Sequence, residues 1–263
     1  MKRRRVLIDV SPLRESPNFR RLWWGYLVSM FGNQITLVAV PYQVYHLTHS
    51  TLDVGLVSLA QLGPLLFGAL GGGSLADRVN RRRLLVSTQS LLALTSAILA
   101  INAALSHPEI WVIFLVSASA AGLSGTDSPT RSALLADFVS RDRLASATAL
   151  WQLLFGATSV VGPALGGLLI GHFGTEGAYL ADVGTFVFSF AAVLRLQMPA
   201  RPRPSRAYAA REVLDGLRYI RTHQVLQGVF LIDINAMVFG MPRALFPALA
   251  ISRFHGGAGT VGL

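Results

Sequence analysis

The sequence predicts an all-α membrane protein, because of its composition and the length of its apolar segments. The 263 residues are 52% hydrophobic and only 14% charged, whereas soluble domains carry roughly 25% charged residues. The mean hydropathy is +0.50. Apolar and polar residues do not alternate over any long stretch, so we do not expect β-strands.

Seven apolar segments follow one another, each close to the roughly 20 residues that cross a hydrocarbon core about 30 Å thick. The basic stretch before them is interrupted at Asp9 and leads to no small-residue cleavage site, so we interpret it as an N-terminal arm and not as a signal peptide. Ser50 and Asp53 have the spacing of a capping box that begins the second helix. The segments cover residues 22–45, 54–76, 84–105, 111–130, 144–171, 176–195 and 225–250.

Basic residues occupy alternate connections between these segments. The positive-inside rule assigns such connections to the cytoplasm, so we predict a multi-pass protein of the inner membrane with a cytoplasmic N-terminus. The net charge of +10 is spread over four connections without interleaved aromatic residues, which argues against nucleic-acid binding. The basic connections are residues 1–21, 78–83, 131–143 and 195–221, and those without arginine or lysine are residues 46–53, 106–109 and 171–176.

The connection after the second segment contains an ordered motif. Gly73 is followed by Ser-Leu-Ala, by Asp77 and Arg78, and then by Arg81–Arg83. This run resembles the loop signature of the major facilitator superfamily, Gly-x-Leu-Ala-Asp-Arg-x-Gly-Arg-Arg, with Asn80 where glycine is usual. Because asparagine tolerates left-handed backbone angles, we expect the turn to survive this difference.

The resemblance implies that this loop holds the two halves of a transporter together on the cytoplasmic side, through Asp77, Arg78 and Arg81. We expect the glycines up to Gly73 to let the end of the second helix pack closely against a neighbour. The Asp77 carboxylate is expected to face a helix N-terminus, where unpaired N–H groups favour an anion. A solvated basic turn is the alternative interpretation.

A second motif lies in the fifth segment. Gly162, Pro163, Gly166 and Gly167 resemble the Gly-Pro-x-x-Gly-Gly antiporter motif of the same superfamily, with Thr158 where the motif often begins with another glycine. The two glycines four residues apart form a small-residue face for helix contact, and proline removes a backbone donor and bends the helix. The resemblance associates this motif with export, and ordinary helix packing is the alternative.

Longer stretches resemble one branch of the superfamily, the enterobactin exporter group. These stretches are residues 39–56, 134–150 and 241–250. The superfamily resemblance implies two six-helix halves with a substrate site between them near the bilayer midplane. Accordingly we expect a fragment or truncated product whose C-terminal half is missing.

The predicted organisation has four parts. We expect a cytoplasmic arm at residues 1–21, a six-helix transmembrane bundle at 22–196, a cytoplasmic linker with an amphipathic helix at 197–224, and the first helix of a second bundle at 225–263.

Four ionisable residues fall within the apolar segments, where each charge costs about 2.5–3.5 kcal/mol at a helix centre, and all four are candidates for a proton or substrate site. Asp233 lies roughly 12 Å into its segment at about 1.5 Å per residue, so it is our first candidate for a coupling proton. Asp127 is expected to pair with Arg131, four residues later. We expect an interfacial position for Asp182, and Arg243 is a candidate to attract an anionic catecholate.

Neutral polar residues also occur in these segments. Asn33 and Gln34 are further candidates for a proton or substrate site, although glutamines in such helices often bond only to neighbours. His46 and His49 form a weak metal signal, the chain contains no cysteine, and no catalytic constellation is recognisable. The sequence therefore predicts a transporter without a cofactor or bound metal, and not an enzyme.

The leading functional hypothesis is a secondary active exporter of small organic molecules, siderophore-like in character, that works by proton antiport and alternating access in the lipid bilayer. Broad multidrug efflux is the nearest alternative, because the same fold and motifs serve both functions. A truncated half-transporter that dimerises, or a membrane scaffold that transports nothing, is a hypothesis of another class.

Overall fold

The computed structural model describes residues 9–197, 218–240 and 246–252, and these residues form helices without any β-strand. The prediction of an all-α protein is therefore confirmed for this part of the chain. Residues 218–222 are helical, and a 3₁₀ turn spans Arg141–Arg143. The α-helices are α1 (Ser11–Glu15), α2 (Pro17–Thr48), α3 (Thr51–Arg78), α4 (Arg81–Ala104), α5 (Ile110–Phe138), α6 (Leu144–Leu194), α7 (Gln224–Gly240) and α8 (Phe246–Ser252).

Four of the described helices are long enough and apolar enough to cross a membrane. They are Thr51–Gly73, Arg81–Ala104, Ile110–Phe138 and Arg141–Leu194. The outward faces of these helices are apolar, as at Phe67, which is 81% exposed. These features confirm a multi-pass membrane protein.

Helix α6 is folded into two limbs at Gly174. This glycine has φ 69° and ψ −179°, a conformation that side chains with a Cβ atom rarely adopt. Leu154 of the first limb packs against the start of α2 in one cluster, and Val193 of the second limb packs against Leu22 of α2 in another. Both limbs therefore run between the same two ends of the bundle.

Side chains cap the ends of the helices, and the sequence predicts only some of these caps. Ser50 Oγ accepts a hydrogen bond from the Asp53 N–H at 3.2 Å, which confirms the predicted start of α3. Asn80 has extended angles, φ −68° and ψ 114°, so the expected left-handed turn is wrong. Its Oδ1 instead accepts from the N–H groups of Arg82 and Arg83 at 3.0 and 3.3 Å. Asparagine thus serves as the N-cap of α4.

Helix α2 packs chiefly against α6, and the glycines of the second motif lie in that contact. A Cβ atom at Gly162 would stand 2.4 Å from the Gln34 Cβ, and one at Gly166 would stand 3.2 Å from the Ile35 Cα. Gly167 is also buried. The predicted small-residue face is therefore used for close helix packing.

Helix α3 packs chiefly against α5, again through glycines. A Cβ atom at Gly68 would stand 2.0 Å from the Gly122 carbonyl oxygen, and one at Gly72 would stand 2.6 Å from the Thr126 Cα. Gly73 faces open space, so the expectation that it mediates this contact is wrong. Gly68 and Gly72 are four residues apart and share a face, whereas Gly73 points about 100° away from Gly72 at 3.6 residues per turn.

The arginine-rich end of the bundle is the end at which α2, α4 and α6 begin and α3 and α5 finish. Here Arg143 contacts Glu15 at 3.0 Å and Asp9 at 3.3 Å, which ties the N-terminal arm to the start of α6. Hydrogen bonds from Ser11 and then Ser146 lower the pKa of Asp9 from 3.8 to about 2, with a smaller contribution from Arg143. This contact is fully present above pH 3.8 and is lost as the pH falls through about 2.

The glycine contact between α2 and α6 can be tested with a matched pair of substitutions. Gly162→Ala should lower the free energy of unfolding by about 1–3 kcal/mol, because the added methyl group overpacks the contact. Gly156 lies in the same helix with open space around it, so Gly156→Ala should be neutral or stabilising by up to about 1 kcal/mol. Denaturant unfolding in detergent measures both, and equal stability of the two variants would contradict the packing described.

Candidate functional site

Buried polar side chains form two clusters inside the described bundle. The first surrounds Asp127 and Arg131 of α5, and the second surrounds Asp182 of α6. Each cluster joins side chains from three or more helices, so both lie where the helices meet.

The Asp127 cluster contains a fully buried ion pair. Arg131, which is 0% exposed, places Nε 2.5 Å from Asp127 Oδ2. Thr88 Oγ1 and Gln89 Nε2 of α4 each donate to Asp127 Oδ1 at 2.9 Å. Arg131 Nη2 donates to Ser189 Oγ of α6 at 3.1 Å. The predicted pairing of Asp127 with Arg131 is confirmed, and it joins α4, α5 and α6.

The same guanidinium also reaches α2. The Arg131 Cζ lies 4.9 Å from the centre of the Tyr26 ring, the geometry of a cation–π contact. Four helices are therefore connected through one arginine.

The Asp182 cluster holds a carboxylate among hydroxyl groups. Asp182 is 1% exposed, and its Oδ2 accepts hydrogen bonds from Thr36 Oγ1 and Ser96 Oγ, both at 2.7 Å. Thr185 Oγ1 lies 3.2 Å from Oδ1. The expected interfacial position of this side chain is therefore wrong. Gly32 of α2 makes the burial possible, because a Cβ atom there would stand 2.1 Å from Asp182 Oδ1.

The partners of Asp182 could not be predicted from the sequence. Thr36, Ser96 and Thr185 are isolated hydroxyl residues in apolar segments, and their spacing gives no sign of a shared site. The one indication in the sequence is a glycine on one segment combined with hydroxyl residues on others. These residues form a shared site only when the three helices pack together.

The arginine loop is built into the ends of the helices. Arg81 Nη1 lies 2.7 Å from Asp137 Oδ2 at the end of α5, and its Nε donates to the Ala76 carbonyl of α3 at 3.4 Å. Arg82 donates to the Leu194 carbonyl at the end of α6. Basic side chains near a helix C-terminus satisfy its free carbonyl groups. Arg81 and Arg82 thus hold four helix ends together, which a freely solvated turn would not do.

The other sequence candidates are separate from these clusters. Gln34 Nε2 donates to the Thr158 carbonyl at 3.3 Å between α2 and α6, and Asn33 is exposed. Asp233 is exposed on α7. The side chains of Asp77 and Arg78, the whole of Arg243 and residues 198–217 lie outside the described residues.

A cavity of about 480 Å³ opens at the end of the bundle opposite the arginine-rich end. Gln43 lines it, and its Oε1 accepts a hydrogen bond from the buried Tyr179 hydroxyl at 2.8 Å. His46 also lines the cavity, and His49 ends α2 with φ 51°. The described residues contain no group of three or more His, Cys, Asp or Glu side chains suited to a metal ion.

Because the ion pair is buried, we expect the free energy of unfolding to depend strongly on the Asp127 partner of Arg131. Asp127→Asn should lower the free energy of unfolding by about 3–5 kcal/mol, because it leaves a buried cation unpaired. Adding Arg131→Met to this variant should recover most of the loss, since the unpaired charge is then removed as well. Denaturant unfolding in detergent measures the cycle.

Asp142 provides the control for this cycle, because its side chain is 77% exposed. Asp142→Asn should leave the free energy of unfolding nearly unchanged. A double variant less stable than Asp127→Asn would show that the buried pair is not the source of the loss.

Comparison with known proteins agrees with this architecture. A family model described as transmembrane secretion effector matches residues 8–263. The enterobactin exporter EntS of Citrobacter koseri is 30% identical over 265 residues, covering 100% of this chain and 63% of that protein. Those of Salmonella typhi and Escherichia coli O1:K1 are each 29% identical, covering 96% and 95% of this chain and 61% and 60% of the relatives.

The chain thus spans about three fifths of the length of the curated relatives it matches. The family match extends over nearly all of its residues, including both glycine motifs and both buried clusters. The protein belongs to the transmembrane secretion effector family of the major facilitator superfamily.

Proposed function

We propose that the protein acts in the export of small organic molecules, siderophore-like in character, by proton antiport and alternating access. The observation that carries this proposal is the similarity along the whole chain to proteins named enterobactin exporters, at 29–30% identity. The packing of the antiporter-like glycines Gly162 and Gly166 against α2 supports it.

The contacts that join the helices of the described bundle support alternating access. In this mechanism one half of the transporter rocks against the other around a fixed substrate site. The Asp127–Arg131 pair and its partners connect α2, α4, α5 and α6, so these helices are expected to move together. The contacts of Arg81 and Arg82 reinforce the same unit at its arginine-rich end.

A second bundle is proposed to cover the exposed apolar face of α3. Leu59, Leu66, Phe67 and Leu70 are 53–81% exposed along this helix. In the proposed transporter, part of this face contacts the second bundle and the remainder contacts lipid. The roles of Asp233 and Arg243 remain predictions. We propose that both residues face the substrate path from that second bundle.

The proposed orientation places the arginine-rich end in the cytoplasm. Arginine next to a membrane segment is retained on the cytoplasmic side, and the arginines at this end also hold helix ends together. The cavity at the opposite end would then face the outside, where an exported compound is released.

Transport into inverted membrane vesicles tests the function. Vesicles from cells that express the protein should accumulate a catecholate siderophore when a proton gradient is imposed, several-fold more than vesicles from cells without it. A cationic dye should not accumulate. Collapsing the gradient with a protonophore is the control, and it should remove the difference.

The other outcomes separate the alternatives. Gradient-driven uptake of the dye instead of the siderophore would replace siderophore export with multidrug efflux. Uptake that continues at the same rate after the gradient is collapsed would contradict proton antiport.

A further inference from the structure

Asp182 and Asp127 are two buried carboxylates with opposite surroundings. Asp127 is paired with the guanidinium of Arg131 at 2.5 Å. The groups that contact Asp182 from α2, α4 and its own helix are the neutral hydroxyls of Thr36, Ser96 and Thr185. Taking a carboxyl group out of water disfavours its charged form unless a cation or hydrogen bonds compensate. Among the described residues, the compensation at Asp182 comes from these hydroxyls.

The hydroxyl groups suit both protonation states of the carboxyl group. A hydroxyl can donate or accept a hydrogen bond by rotating its proton. The ionised form accepts from all three hydroxyls, whereas the acid form donates to one of them. Thr185 Oγ1 already has a second acceptor, since it lies 2.7 Å from the Asp182 carbonyl oxygen. A proton can therefore bind without any movement of heavier atoms.

The Asp127 cluster is different, because its carboxylate faces a cation. A guanidinium only donates hydrogen bonds and stays charged, so the buried Arg131 needs Asp127 as its acceptor. Of the two buried carboxyl groups, Asp127 therefore has a charged partner, whereas Asp182 has neutral hydroxyl partners.

The other ionisable groups near Asp182 are a tyrosine on its own helix and the ion pair of α5. Tyr179, one turn earlier on α6, is the titratable side chain nearest along its own helix. From α5 the nearest charges are those of the Asp127–Arg131 pair, which reaches α6 at Ser189, two turns beyond Asp182. The structure describes no unpaired cation in contact with the Asp182 carboxylate.

The cavity opposite the arginine-rich end is lined by residues of the same two helices, α2 and α6, that hold Thr36 and Asp182. Gln43 lines this cavity and binds the Tyr179 hydroxyl at 2.8 Å. Tyr179 is three residues before Asp182 on α6, and Thr36 is two helical turns before Gln43 on α2. The polar side chains of the cavity floor and of the Asp182 cluster therefore follow one another along the same two helices.

We propose that Asp182, held by the hydroxyls of Thr36, Ser96 and Thr185, is a proton-binding site that is loaded from this cavity. One proton from the water of the cavity converts the carboxylate to the neutral acid, and its release restores the carboxylate. A sodium ion does not fit this arrangement, because two hydroxyls contact the carboxylate directly at hydrogen-bond distance. The coupling role of the site rests on the proposed function, whereas proton binding itself does not.

Infrared difference spectroscopy of the purified protein at a series of pH values tests proton binding directly. Lowering the pH should produce the carbonyl band of a protonated, buried carboxyl group. Asp182→Asn should remove this band, and the control Asp53→Asn, at the start of α3, should retain it. Asp182→Glu should shift the frequency of the band and keep it, which assigns the band even if the asparagine variant folds poorly.

The opposite results would overturn the proposal. A band that is unchanged in Asp182→Asn and Asp182→Glu, or the lack of any such band in the pH range where the protein is folded, would assign Asp182 a purely structural role. Suppression of the band by sodium ions at constant pH would make the site a sodium site.

Vesicle transport separates this proposal from the proposed function. Asp182→Asn should abolish the stimulation of uptake by a proton gradient. A normal gradient response in this variant would exclude Asp182 as the coupling group while the exporter proposal stands. An Asp182-dependent band in a protein that transports nothing would support the proton site and reject the exporter proposal.

Discussion

The ion pair between Arg131 and Asp127 is the interaction on which most of the bundle depends. A guanidinium cannot lose its charge in a protein, and the Arg131 side chain is fully buried. Asp127 lies beside it, α4 donates hydrogen bonds to Asp127, and α6 accepts one from Arg131. Tyr26 brings α2 to the same cation. One fixed charge thus specifies how four helices are arranged.

Glycine decides how closely those helices can approach. The contacts of α2 with α6 and of α3 with α5 bring backbone atoms into positions that a Cβ atom would fill. Between membrane helices, close packing and internal hydrogen bonds replace the hydrophobic effect as the source of association. Gly32 shows the link between the two, because its missing side chain is what allows Thr36 of α2 to reach Asp182 of α6.

The sequence predicts the features that depend on spacing within one segment. It does not predict the features that side chains from several segments form together. The helices, the Ser50 cap, the Gly162–Gly166 face and the Asp127–Arg131 pair all follow from spacing along one helix. Asp182 is different, because its partners are 146 and 86 residues away in the chain. The motif predicts that Asn80 turns the chain as glycine does, but its side chain makes a better N-cap than a glycine would.

In the proposed orientation the arginine-rich end lies in the cytoplasm and the cavity lies outside, so the orientation of the bundle is the most direct test. The chain contains no cysteine, and Ser106 and Ser140 are exposed at opposite ends. We expect a membrane-impermeant thiol reagent to label Ser106→Cys in intact cells from which the outer membrane has been removed, and Ser140→Cys only in inverted vesicles. Labelling of Ser140→Cys from outside would contradict the account.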